Sequence, residues 1–157
     1  MSEDSNIYEN SVTVQAAPAV VYEALTSANQ LQRWFLTRAE TEPRAGGPFK
    51  FAWDFADAAQ NGTQQGKFLE VIPGQKVSYT WEAKPAPAPL TTVTFMLAPE
   101  GNGTRVSLTH TGFGQGADGK AARDHHSGPW DFYLANLKSY LETGTDNRAA
   151  MLGQKTS

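Results

Sequence analysis

Apolar residues recur along this chain with two periods, and the periods divide it into elements. Between Pro48 and Phe55, the apolar Phe49, Phe51, Trp53 and Phe55 alternate with Lys50, Ala52 and Asp54. Val77, Tyr79 and Trp81 alternate with Ser78, Thr80 and Glu82. Val93, Phe95 and Leu97 alternate with Thr92, Thr94 and Met96, and Val106, Leu108 and His110 with Ser107, Thr109 and Thr111. A period of two over four segments predicts strands of an antiparallel sheet, dry on one face and wet on the other. Ile7 to Val14 has the same character, with Tyr8, Asn10, Val12 and Val14 sharing a face. Gly66 to Ile72 reads as a strand whose faces do not separate, and its facing stays open.

Near the C-terminus the period changes. From Pro129 to Thr143, a rotation of 100° per residue gathers Trp130, Tyr133, Leu134, Leu137, Tyr140 and Leu141 into one stripe. Phe132 falls opposite it and needs a neighbour or a partner. Gly144 stands at the usual C-cap position. Pro18 suits the first turn of a short helix with Val21, Tyr22 and Leu25 on its apolar side, and Ser27 can cap a second that ends near Trp34. Two helices in a row, then strands, predict an α+β fold rather than α/β.

Turns are marked by Gly46-Gly47-Pro48, Asn61-Gly62, Pro73-Gly74 and Gly101-Asn102-Gly103. Lys84 to Pro89 holds three alternating prolines and reads as an extended loop or edge. Gly112, Gly114, Gly116 and Gly119 predict a flexible loop. Residues 1–144 read as one domain, and 145–157 as a loose polar tail.

Composition narrows the classes. The chain has 157 residues, 39% of them hydrophobic, with 14 Gly, 9 Pro and a net charge of −3. That acidity gives nothing to attract nucleic acid or an anionic membrane. The absence of cysteine excludes a disulfide framework, a thiol nucleophile and a cysteine-ligated metal. A polar, acidic start and no long apolar run lead to the expectation of a soluble, cytoplasmic protein.

Several short motifs, in order, resemble a known family. They are Val20-Val21-Tyr22-Glu23-Ala24-Leu25-Thr26 with Trp34-Phe35, Gly46-Gly47 with Phe49, and Gly66 to Glu70 with Pro73. Gly103-Thr104-Arg105, Leu108-Thr109-His110, Gly112-Phe113 and the late helix from His126 and Gly128 through Trp130 to Tyr140-Leu141-Glu142 continue the match. Together they resemble the SRPBCC, or START-like, domains over roughly residues 7–144. The branch is the one named after the C-terminal domain of the heat-shock-protein-90 ATPase activator. The resemblance implies a helix-grip fold: a curved antiparallel sheet wrapped around a long C-terminal helix, with two short helices between the first two strands. It also implies an apolar cavity between sheet and helix. In this family the helix glycine is usually followed directly by tryptophan. Here Pro129 intervenes, which predicts a kink or helix restart at Gly128-Pro129.

On that reading the ligand-binding face comprises Phe51, Trp53, Phe55, Tyr79, Trp81, Phe95 and His110 from the sheet. Trp130, Tyr133, Leu134 and Leu137 face them from the helix. The expected ligand is small and largely apolar, aromatic or lipid-like. An alternative is a cyclase-like or hydrolytic enzyme in the same cavity, with His110 as its acid–base group. A chaperone-associated interaction domain is a third reading, and a protein partner or a homodimer stays open. No cofactor is expected. Asp124, His125 and His126 do not suggest a metal, because adjacent helical residues point 100° apart and histidines four apart are lacking. They read as capping or surface groups, Arg105 and Glu70 as surface ion pairs, and the glycine loop as a lid over the cavity mouth.

Overall fold

The computed structural model describes residues 6–82, 90–150 and 153–156. The proline stretch Lys84 to Pro89 lies outside them. Strand β1 (Tyr8–Val14) leads into helix α1 (Pro18–Thr26) and helix α2 (Ala28–Trp34). Strands β2 (Arg38–Thr41), β3 (Pro48–Trp53), β4 (Gly62–Ile72), β5 (Lys76–Glu82), β6 (Leu90–Glu100) and β7 (Gly103–Thr111) follow. Helix α3 (Gly116–Thr143) closes the fold, and single-turn helices occupy 58–60 and 148–150. One antiparallel sheet runs in the order β1-β7-β6-β5-β4-β3-β2. This is the expected α+β helix-grip arrangement.

The alternation read from sequence corresponds to burial. Phe49, Phe51, Val77, Tyr79, Trp81, Val93, Phe95, Leu97, Val106 and Leu108 all lie in the core, while Met96 between them is exposed. Ser27 accepts from Gln30 N and caps α2. Strand β2 escaped the sequence reading because Arg38-Ala39-Glu40-Thr41 has no apolar face to display.

The open facing of β4 has a physical cause. Phe68 pairs with Tyr79 and Glu70 with Ser78, so an extra residue, Leu69, sits in a bulge. Phe68 before the bulge and Val71 after it both meet the core, three positions apart rather than two. A strict period of two cannot describe such a strand.

Helix α3 is one helix of 28 residues that continues through Pro129, so the restart predicted at Gly128-Pro129 does not occur. Trp130, Tyr133, Leu134 and Leu137 are buried, with Tyr140 and Leu141 at the rim. The helix also packs against β1. Tyr8 Oη and Asn10 Nδ2 donate to Asp131 Oδ1 at 2.5 and 3.0 Å, and Lys138 Nζ donates to Thr13 O at 2.6 Å.

The expected loose tail is corrected by the structure. Arg148 is 1% exposed, and Gln154 is buried as well. A helix leaves its last carbonyls without partners, and this segment supplies donors to those at the end of α2. Arg148 reaches Gln32 O and Leu36 O at 2.9 and 2.8 Å, and Gln154 Nε2 reaches Phe35 O at 2.8 Å. Asn136 of α3, itself buried, donates to Trp34 O at 2.7 Å and to Asp146 at 3.0 Å. Phe132 lies one turn before Asn136 and is partly buried against the core, which answers the question its position raised.

Candidate functional site

The interior between sheet and helix is filled with rings. Trp130 lies 5.4 Å from Trp81 and 6.2 Å from Phe95, Phe51 lies 5.9 Å from Tyr79, and Phe35 lies 6.0 Å from Phe51. Such spacings are those of rings in mutual contact. The open space sits at one end of this stack, as a cleft of about 290 Å³. Its walls are Phe35 at the end of α2, Trp53 and Phe55 at the end of β3, Gln60, Trp81 near the end of β5, and His125, His126, Pro129, Trp130 and Tyr133 of α3.

Of the residues the sequence proposed, Trp53, Phe55, Trp81, Trp130 and Tyr133 line this cleft. Phe51, Tyr79, Phe95, His110, Leu134 and Leu137 do not; they are packed behind it as core. Period two assigns a face, but only the depth of the fold separates its rim from its floor. Phe35, Gln60, His125, His126 and Pro129 were missed. The Trp34-Phe35 pair is visible as a motif, whereas adjacency on a helix gives His125 and His126 only a capping or surface reading. Gly116 and Gly119 belong to the first turn of α3 rather than to a loop, and no residue of 112–119 lines the cleft, so this stretch is not its lid. Asn6 Nδ2 holds the loop instead, donating to Gly114 O at 2.8 Å.

His110 is fully buried and has both ring nitrogens engaged. Trp130 Nε1 donates to His110 Nδ1 at 3.0 Å. His110 Nε2 lies 2.7 Å from Thr91 Oγ1, whose own proton goes to Trp81 O at 2.7 Å. The hydroxyl oxygen must therefore accept, and His110 is the neutral tautomer protonated on Nε2. Burial first, then the nearby His126, pushes its pKa down to about 3. Neither nitrogen faces the cleft with a free role, which removes the geometric basis for His110 as a proton shuttle. Thr91 escaped notice, although it shares parity with Val93 and Phe95 and so belongs to the inner face.

Trp81 presents the opposite case. Its indole nitrogen is buried without a hydrogen-bond partner, the one such side-chain atom among the described residues. Tyr133, across the cleft, donates its hydroxyl to Gln154 Oε1 at 2.5 Å, so the C-terminal segment braces a wall of the site.

A second, wider hollow of about 690 Å³ lies over β2, β3 and β4. Charged Arg38, Glu40, Lys50 and Glu82 line it, and Arg38 is already paired with Asp54. Arg105 and Glu70 form the expected surface pairs, with Glu100 and Lys76. Among the described residues no cluster of three or more His, Cys, Asp or Glu could hold a metal, and no helix is long and apolar enough to cross a membrane.

A family profile described as Activator of Hsp90 ATPase homolog 1-like protein matches residues 15–142. No curated protein matches the chain. Among solved structures, the Aha1 dimer from Colwellia psychrerythraea is 26% identical and superimposes with a TM-score of 0.73 over 88% of this chain and 98% of that one. Protein MLL2253 from Mesorhizobium loti is 24% identical, with a TM-score of 0.72 over 86% and 96% of the two chains. CalU16 from Micromonospora echinospora is 24% identical, with a TM-score of 0.64 over 88% and 76%. A profile match spanning most of the chain agrees with the sheet that grips a long final helix, and the chain belongs to the Activator of Hsp90 ATPase homolog 1-like family of the SRPBCC superfamily.

Proposed function

We propose that the chain binds a small, largely apolar molecule, aromatic or lipid-like, in the cleft between the ends of β3 and β5 and helix α3. The observation that carries this reading is the wall itself: Phe35, Trp53, Phe55, Trp81, Trp130 and Tyr133 around about 290 Å³ of open space. A volume at the lower end of the usual ligand range suits a compact molecule or one portion of a longer one. A neutral N-phenyl-1-naphthylamine probe should bind and quench tryptophan emission. Trp53→Ala should weaken it by about tenfold, while Lys50→Ala in the charged hollow leaves it unchanged. Equal responses of the two variants would refute the site.

A homodimer is a second reading, favoured by the dimeric state of the Colwellia relative. Light scattering over a range of concentrations tests it, and a monomer mass throughout would end it.

A further inference from the structure

One polar atom of the cleft has its hydrogen-bonding role fixed by the helix that carries it. His126 Nδ1 lies 2.7 Å from Ala122 O, one turn earlier in α3. A carbonyl oxygen only accepts, so the proton resides on Nδ1 and Nε2 carries a lone pair. Turning the ring over would give up that bond. The ring is also packed 5.1 Å from His110 and 5.3 Å from Phe113, centroid to centroid. Burial, the largest influence, keeps His126 neutral at pH 7, and His125 acts in the same direction against the Ala122 carbonyl. Nε2 makes no hydrogen bond to any described residue, and the ring lines the cleft beside Trp81 and Trp130.

The cleft therefore presents one acceptor of fixed role in a largely aromatic wall, whose other polar groups are Gln60, His125 and the Trp81 indole N–H. Its charge balance restricts what can meet that acceptor. No Lys, Arg, Asp or Glu lines the cleft. A carboxylate would face the Nε2 lone pair without a Lys or Arg to offset it, and an ammonium would lose its hydration with no anion in return. A neutral O–H donor on a flat apolar body satisfies both conditions. We infer that the cleft selects aromatic molecules bearing a hydroxyl group, phenols of roughly one or two fused rings, whose O–H donates to His126 Nε2. This inference rests on the reading of the cleft as a ligand site and names the ligand class.

Three probes of one shape separate the possibilities: 2-naphthol, 2-methoxynaphthalene and 2-methylnaphthalene, measured by tryptophan quenching. The first offers a donor and an acceptor, the second only an acceptor, the third neither. Naphthol should bind about fivefold to tenfold more tightly than the other two, which should bind alike. Its better hydration works against this order, so the preference reports a bond made in the cleft. His126→Phe keeps a ring against His110 and Phe113 and removes the acceptor, so the ratio of naphthol to methylnaphthalene affinity should fall to about one. Should His126→Phe fail to fold, the three wild-type affinities still decide. Methoxynaphthalene binding as tightly as naphthol would mean that a wall donor, the Trp81 indole N–H or the Gln60 amide, decides the choice, and would overturn the inference. Three equal affinities would overturn it while leaving the cleft as a ligand site. Absence of binding by all three would remove the ligand site and the inference with it.

Discussion

Trp130 Nε1 donates to His110 Nδ1 at 3.0 Å, and this contact between α3 and β7 sets the protonation state of a fully buried histidine. With Nε2–H directed at Thr91, a second proton on Nδ1 would set two N–H groups against each other. His110 thus ties the helix to the sheet as a neutral group, and it is neutral for a structural reason.

Stability should depend on pH through this residue. The folded pKa is lowered from 6.5 to about 3, so the unfolded chain takes up the proton first. The contribution of neutral His110 is fully present above about pH 6.5 and is lost as pH falls toward 3, by up to about 1.4 kcal/mol per pH unit. His110→Gln can keep both hydrogen bonds without titrating. Urea midpoints at pH 7, 6 and 5 should therefore fall less steeply for the variant. Parallel curves would show that His110 does not take part.

Arg148 should be a stability determinant although it lies beyond the family match. Arg148→Met removes the donors to Gln32 O and Leu36 O and leaves Asp146 without its cation. We expect a loss of about 2–5 kcal/mol in denaturant unfolding. A loss below about 0.5 kcal/mol would mean that water replaces the guanidinium freely.

Two glycines of β4 should respond differently to alanine. A Cβ on Gly66 would lie 2.2 Å from Thr80 Oγ1 and 3.1 Å from the Phe49 ring. Thr80 is buried and accepts from Lys67 N, so it cannot simply turn away. Gly66→Ala should cost about 1–3 kcal/mol. At Gly62 the nearest atom is Trp53 Cε3 at 3.9 Å, and Gly62→Ala should stay within about 0.5 kcal/mol. Thermal melts of the two variants make the comparison, and equal shifts would contradict it.

Leu137→Ala should cost about 2–5 kcal/mol, because Leu137 is fully buried in the helix–sheet core. Leu141, one turn on and only partly buried, should lose clearly less on the same substitution. Equal losses would mean that the stripe is buried evenly to its end.

Much of the fold could be read directly. The alternations in β3, β5, β6 and β7 and the stripe from Trp130 to Leu141 are local patterns, and each predicts which face is dry. Gly144, at φ 75°, ends the helix where glycine suggested. Local patterns failed where a distant segment decides the outcome. The bulge at Leu69 depends on pairing with β5, and the placement of Arg148 depends on carbonyls more than a hundred residues earlier.

The sequence by itself determined the elements other than β2, the buried faces of β3, β5, β6, β7 and the late helix, and the family, because backbone periodicity and side-chain polarity act over a few neighbouring residues. Only the tertiary structure decided which inner-face rings are floor and which are rim. It placed Phe51, Tyr79, Phe95 and His110 in the packed core, and left Trp53, Phe55, Trp81, Trp130 and Tyr133 on the cleft with His126. Depth below a surface is a property of all the layers above a residue. Those layers come from α2, the end of β3, α3 and a C-terminal segment whose hydrogen bonds reach back across the whole chain.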